Sequence, residues 1–206
     1  MICPCNSIVK NFVKPTGTKT PVIYIAGMAP GREEVKSGIP FSGPAGKVLR
    51  SAMSEAGIDI DNEVRFFNVV ACRTTKPDNP NSNRDPSKEE IENCKQYIFS
   101  DIEKTKPSII IVMGKTAASA FLEINKYDYL TPMLTEEFEH NGIKLRVGYH
   151  PSYINQHGGI GTKLYNEYVD WFKQFANKEN NFYNMSFQFI ITHLFRKIRF
   201  NILNLS

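Results

Sequence analysis

The chain has 206 residues, of which 41% are hydrophobic and 22% charged, with a formal net charge of +4. That length suits one well-buried domain and the composition is ordinary for a soluble globular protein, while the mild basic excess accommodates a phosphate-bearing partner without identifying one. No secretory signal is expected, since Met1–Lys14 offers no apolar run of the kind one needs. A bilayer span is excluded for Phe187–Leu194, which is short and runs into Arg196, Lys197 and Arg199.

In chain order, Pro21–Gly27 is a short apolar run rich in β-branched residues that ends at a glycine, the pattern of a buried strand feeding a loop. Turn residues fill Met28–Gly31 and Gly38–Pro44. Ala45–Ala56 then carries Val48, Leu49, Ala52, Met53 and Ala56 at helical spacing and closes at Gly57. Val64–Ala71 is a second strand. Residues 73–87, with three prolines and three asparagines, read as a long loop. Ser87 and Glu90 form a capping-box pair opening a helix toward Lys104. Pro107–Gly114 is a third strand, Lys115–Glu123 a helix, residues 124–142 irregular, and Lys144–Tyr149 a fourth strand ending at His150-Pro151. Lys163–Ala176 places Leu164, Tyr168, Trp171, Phe172 and Phe175 on one helical face.

Strands alternating with helices predict a three-layer α/β/α sandwich around a central four-stranded parallel sheet, with ligands at the carboxyl ends of the strands. The expected organisation is an N-terminal cysteine-bearing segment (1–19), one domain (20–176), and an Asn-linked, basic apolar tail (177–206). The tail reads as an amphipathic basic helix for a membrane surface, a DNA-contacting arm or, the favoured reading, a segment appended to the domain, because its Asn-rich, patternless start is nothing the core requires.

Each strand ends in a glycine- or proline-marked peptide. The first gives Gly27-Met28-Ala29-Pro30-Gly31-Arg32-Glu33-Glu34, followed by Gly38-Ile39-Pro40-Phe41-Ser42-Gly43-Pro44-Ala45-Gly46. The second gives Asn68-Val69-Val70-Ala71-Cys72-Arg73, and the fourth His150-Pro151-Ser152-Tyr153. No Gly-x-Gly-x-x-Gly and no P-loop lysine accompanies the first, which weakens a nucleotide-binding, flavodoxin-like reading.

These four peptides, in order, with Arg84-x-Pro86-x-x-Glu89-Glu90-x-x-x-Cys94 between them, resemble the uracil-DNA glycosylase superfamily over about residues 20–172. The nearest match is its iron–sulfur branch, together with related domains of phage-type DNA polymerases. The resemblance implies hydrolysis of the N-glycosidic bond of deoxyuridine in DNA, within base-excision repair. Gly27, Met28, Ala29, Pro30 and Gly31 would line the base pocket, and Phe41 would stack on a flipped uracil. Asn68 would read the uracil edge, because a carboxamide offers both donors and acceptors. His150 would stabilise charge on the departing base. Ser152, Tyr153 and Ile154 would face the DNA, and Lys47, Arg73 and Lys115 are candidate phosphate contacts.

Two departures stand out. Met28 replaces the usual acid of the first peptide and Ala29 offers no group to activate water, leaving Glu33 or Glu34 for that task. An alternative is therefore a uracil-binding module with little turnover, working beside replication proteins. The resemblance also implies a structural [4Fe–4S] cluster on Cys3, Cys5, Cys72 and Cys94, although the first pair is spaced Cys-x-Cys. Zinc on the same thiolates, or no metal, are the rival readings. Four cysteines without a signal peptide point to a reducing compartment, so a cytoplasmic monomer with no membrane partner is expected.

Overall fold

The computed structural model describes residues 12–122 and 130–176. Cys3 and Cys5, the tail after residue 176 and part of the irregular 124–142 segment lie outside the described residues. The strands are β1 (Thr16–Gly17), β2 (Ile23–Gly27), β3 (Val64–Asn68), β4 (Thr75–Lys76), β5 (Asn79–Asn83), β6 (Ile109–Met113), β7 (Phe138–His140) and β8 (Ile143–Gly148). The helices are α1 (Arg32–Ser37), α2 (Pro44–Glu55), α3 (Ile60–Glu63), α4 (Lys88–Thr105), α5 (Lys115–Ala118), α6 (Pro151–Gln156) and α7 (Lys163–Lys173).

The main sheet has the order β1-β3-β2-β6-β8-β7. Its four inner strands are parallel, as expected, and two short antiparallel strands extend it: β1 pairs with β3 and β7 with β8. The expected four-stranded sheet is thus the middle of a six-stranded one. Alternation along the strands divides the interior into two layers. Tyr24, Ala26, Phe67, Ile110, Val112, Leu145 and Val147 pack toward Ile91, Cys94, Ile98 and Ile102 of α4. Ile23, Ile25, Val64, Phe66, Ile109, Ile111 and Met113 pack toward α2, α6 and α7. Helices on both faces make the three-layer sandwich.

The expected capping box is met at the level of single groups, and an ion pair that the sequence did not suggest accompanies it. Ser87 caps α4 and Glu90 returns the bond to the Ser87 backbone, a complete capping box. Arg65 of β3 grips Asp101 of α4 through Nε at 2.6 Å and Nη2 at 2.8 Å, and the Tyr24 hydroxyl donates to the same carboxylate at 2.7 Å. This ties α4 to the sheet beneath it. The loop expected at 73–87 instead contains the β4–β5 hairpin. Among the described residues no helix is long and apolar enough to cross a membrane.

The chain steps from β2 to β3 on one side, then returns to β6 on the other side of β2. That reversal parts the loops above the sheet and opens a crevice at the strands' carboxyl ends.

Candidate base-binding cleft

A cleft of about 490 Å³ occupies this position. Met28, Ala29, Gly31, Glu33, Glu34, Phe41, Asn68, His150 and Ser152 all line it, although they are scattered over 125 positions of sequence (28 to 152). Pro30 is buried beside it. A larger groove of about 870 Å³ lies between α4 and α5, lined by lysines that include Lys115 and by Asp85, which it shares with the cleft. The smaller cleft is the better candidate because Asn68, the buried polar side chain at the end of a central strand, lines it.

Asn68 ends β3, paired in parallel register with Gly27 of β2, and is only 4% exposed. Among the described residues no hydrogen bond engages its side chain, and its amide faces the cleft. The amide opens onto the cleft and is not enclosed in the core, so its donors and acceptors are available to a ligand. Gly27 makes room for it: a Cβ at position 27 would collide with Asn68 Oδ1 and lie 2.6 Å from Phe41 Cζ. Glycine is needed here for close approach, since the aromatic ring and the amide meet over its bare backbone.

Phe41 is buried and holds a left-handed backbone, φ 56°, which costs a non-glycine residue free energy unless its surroundings impose it. The surroundings are Arg50 and Gly46. Arg50 Nε donates to the Phe41 carbonyl and Nη2 to the Pro40 carbonyl, both at 3.1 Å. Its guanidinium lies 4.2 Å from the centroid of Phe66, which in turn packs on Phe41. Any side chain at Gly46 would strike the Phe41 carbonyl. Arg50 was not singled out in the sequence because it reads as an ordinary polar position of an amphipathic helix. An Arg50→Ala variant is expected to lose about 1–3 kcal/mol of stability, since two carbonyls are left without donors; a denaturant titration against the parent measures it.

His150 caps α6, and the Ser152 N–H donates to its Nδ1 at 3.2 Å. A backbone N–H can only donate, so Nδ1 carries the lone pair and the proton of the neutral ring is on Nε2. The Ser152 hydroxyl sits 2.7 Å from the same Nδ1. Burial pushes the His150 pKa down to about 4, partly opposed by the charge of Asp85, so the ring is neutral near pH 7. Gly114, after β6, allows the ring its place: a Cβ there would lie 3.1 Å from the His150 Cβ.

The two glutamates differ. Glu33 is exposed at the cleft, whereas Glu34 Oε1 accepts the Gly43 N–H at 3.1 Å, joining the first loop to the start of α2. Glycine at 31 and 43 keeps Cβ atoms away from the Glu34 carboxylate, which each would approach within 3 Å (2.7 and 2.9 Å). Glu34 braces two loops and is poorly free to serve a water.

The expected DNA-facing trio also divides. Tyr153 is 40% exposed and stands between Tyr149, 5.1 Å away and nearly parallel, and His157 at 4.1 Å. Ser152 is spent on His150. Ile154 requires a correction: it is fully buried with Val48, Leu49 and Phe172, because α6 turns that face inward, so it does not meet a ligand at the surface.

For the cluster, Cys94 is buried and Cys72 half-buried within one apolar layer, together with Phe12. Phe12 bridges Cys72 in antiparallel fashion, and the Val13 N–H donates to the Ala71 carbonyl at 2.9 Å. The first described residue, Phe12, therefore lies beside Cys72. Among the described residues no group of three or more His, Cys, Asp or Glu is placed to hold a metal.

A crevice above a parallel sheet, with an aromatic ring, a carboxamide without a side-chain partner and a neutral imidazole around it, defines an α/β protein with a polar cleft at the strands' carboxyl ends. Comparison with known proteins narrows the class. Residues 15–173 match the profile of the uracil DNA glycosylase superfamily, and the chain belongs to it. It is 32% identical over 158 residues to a type-4 uracil-DNA glycosylase of Archaeoglobus fulgidus, covering 74% of this chain and 76% of that one. It is 32% identical over 180 residues to the type-4 enzyme of Thermotoga maritima, covering 86% and 89% respectively. A DNA polymerase of Bacillus phage SP01 is 28% identical over 142 residues, 69% of this chain and 14% of the polymerase.

Proposed function

We propose that this protein is a uracil-DNA glycosylase, hydrolysing the N-glycosidic bond of deoxyuridine in DNA. The observation that carries the reading is the buried Asn68 carboxamide facing the cleft beside Phe41 and His150. Phe41 stacks on the flipped base, worth roughly 1–3 kcal/mol. The Asn68 amide donates to O4 and accepts from N3–H, a pattern that cytosine reverses. As the C1′–N1 bond breaks, its electron pair passes to the base and the negative charge spreads to O2. There the His150 Nε2–H donates to it, a bond that strengthens as charge develops. Water adds to C1′ and loses a proton, leaving an abasic sugar and uracil. Met28 and Ala29 offer no base for that water, so the exposed Glu33 is assigned to it, with Glu34 holding the loop.

The thiolates of Cys3, Cys5, Cys72 and Cys94 would hold an iron–sulfur cluster of structural role, since soft sulfur donors suit it. Supporting this, Cys72 and Cys94 share one layer, and Cys5 precedes Phe12 by only seven residues, a reach of at most about 25 Å. The cluster supplies no step of the hydrolysis. A cytoplasmic monomer is the accompanying expectation.

The test is uracil release from a labelled deoxyuridine oligonucleotide, with a thymidine oligonucleotide as control. Release confined to the first supports the enzyme. Tight binding without release would identify a uracil-reading module whose first loop, with Met28 and Ala29 in the cleft, has lost its water-activating group.

A further inference from the structure

Six arginines fall within the described residues: Arg32, Arg50, Arg65, Arg73, Arg84 and Arg146. Three are neutralised by carboxylates: Arg65 by Asp101, Arg84 by Glu90 and Arg146 by Glu137. Arg50 is turned inward onto backbone carbonyls. Arg32 and Arg73 are different. Among the described residues neither pairs with a carboxylate, yet both are held in place by the β4–β5 hairpin. Arg32 Nη2 donates to the Asn81 carbonyl at 3.3 Å and to its Oδ1 at 3.0 Å. Arg73 Nη2 donates to the same carbonyl at 3.0 Å, and its Nε to Asn83 Oδ1 at 2.8 Å.

Neutral amide acceptors orient a guanidinium without cancelling its charge. The bonds use one nitrogen of Arg32 and two of Arg73, leaving Nη1 of both with donors to spare. Arg32 and Asn83 line the cleft, so the pair stands at its mouth. Two oriented, uncompensated guanidiniums at the edge of a cleft match phosphate oxygens, which accept from such forks in fixed geometry. The hairpin's sequence agrees with a bracket more than with a sheet element: Asn79, Asn81 and Asn83 supply acceptors, and both strands are exposed.

We propose that the β4–β5 hairpin, through Asn81 and Asn83, presents Arg32 and Arg73 as a grip for the sugar–phosphate backbone of DNA next to the flipped nucleotide. This rests on the reading of the cleft as a uracil site. The partner is a DNA strand, and the contact is sequence-independent because phosphates carry no base identity.

The test compares the parent with an Arg32→Ala/Arg73→Ala double variant and an Arg32→Lys/Arg73→Lys double variant. Binding to a uracil-free duplex is followed by fluorescence anisotropy across a sodium chloride series, alongside kcat and KM for the deoxyuridine duplex. Loss of two phosphate contacts should make the slope of log K against log salt shallower by about two in the alanine pair. The lysine pair keeps both charges and should keep most of the slope. KM for the duplex should rise about 10-fold or more in the alanine pair, with a much smaller change in kcat. An unchanged salt slope in the alanine pair, even with a lowered melting temperature, would overturn the grip and leave the hairpin a structural brace. If the parent released no uracil yet its salt slope fell as stated in the alanine pair, the glycosylase reading would fail and the grip would stand.

Discussion

Uracil release by a His150→Ala variant is expected to fall about 100- to 1,000-fold, the usual cost of removing one preorganised donor to a developing anion. The loss should appear in kcat and kcat/KM together with little change in KM, since the bond to O2 gains strength only as the base leaves. Single-turnover assays on the deoxyuridine oligonucleotide separate this from slow product release. The protonation state adds a second signature. Because burial holds the His150 pKa at about 4, the ring stays neutral from pH 5 to 8, and the rate should show no inflection near the ordinary histidine value of 6.5. Stability should respond where activity does not. The unfolded chain takes up a proton as pH falls through 6.5, while the folded ring refuses it until about 4. Stability from this group is therefore full above pH 6.5 and declines between 6.5 and 4, by on the order of 2 kcal/mol once the ring's opening to the cleft is discounted. Urea titrations of parent and variant at pH 7.5 and 4.5 measure it, and the alanine variant should lack this part of the decline.

Gly27→Ala is the second large effect. The added methyl would collide with Asn68 Oδ1 and come within 2.6 Å of Phe41 Cζ. Neither neighbour yields easily: Asn68 is walled in at the end of β3, and Arg50 clamps the backbone of Phe41. The methyl therefore displaces the Asn68 amide and the Phe41 ring at once, the two groups to which base reading and stacking are assigned in the proposed function. We expect kcat/KM to fall at least about 100-fold, comparable with Asn68→Ala, with a stability cost of about 1–3 kcal/mol from overpacking. Inhibition by free uracil gives a direct reading of the pocket. If Gly27→Ala weakens it no more than twofold while Asn68→Ala abolishes it, Gly27 is not what holds the two groups together.

Much of this architecture was legible from the residues. Ile23–Gly27 and Ile109–Met113 are β-branched runs that end at or just before a glycine, and burial on both faces makes such runs visible without alternation. The capping box at Ser87 and Glu90 is local chemistry and needs no tertiary context. The cleft residues were named through the resemblance of their peptides to the uracil-DNA glycosylase superfamily, and the parallel sheet, which delivers its strand ends to one edge, explains why Asn68 and His150 meet there. The β4–β5 hairpin was not legible: Asn79–Asn83 has no apolar alternation, contains Pro80, and is pinned by guanidiniums, one of them from Arg32 far back in the sequence. Ile154 was misplaced because its facing depends on where α6 starts, and that start is set by His150 acting as its cap. Arg50 escaped notice for a related reason: its partners are backbone carbonyls, which no side-chain pattern advertises.

The left-handed backbone of Phe41 has a kinetic meaning. A base swung out of a duplex is a short-lived visitor, and a receptor that must first search rotamers and loop shapes would often lose it. Here the unfavourable conformation is already imposed by Arg50 and Gly46 when the chain folds, so little ordering remains for the moment of capture. On the proposed reading of Phe41, the protein would act as a sprung catch set in advance, quick to hold a nucleotide that would otherwise fall back into its helix.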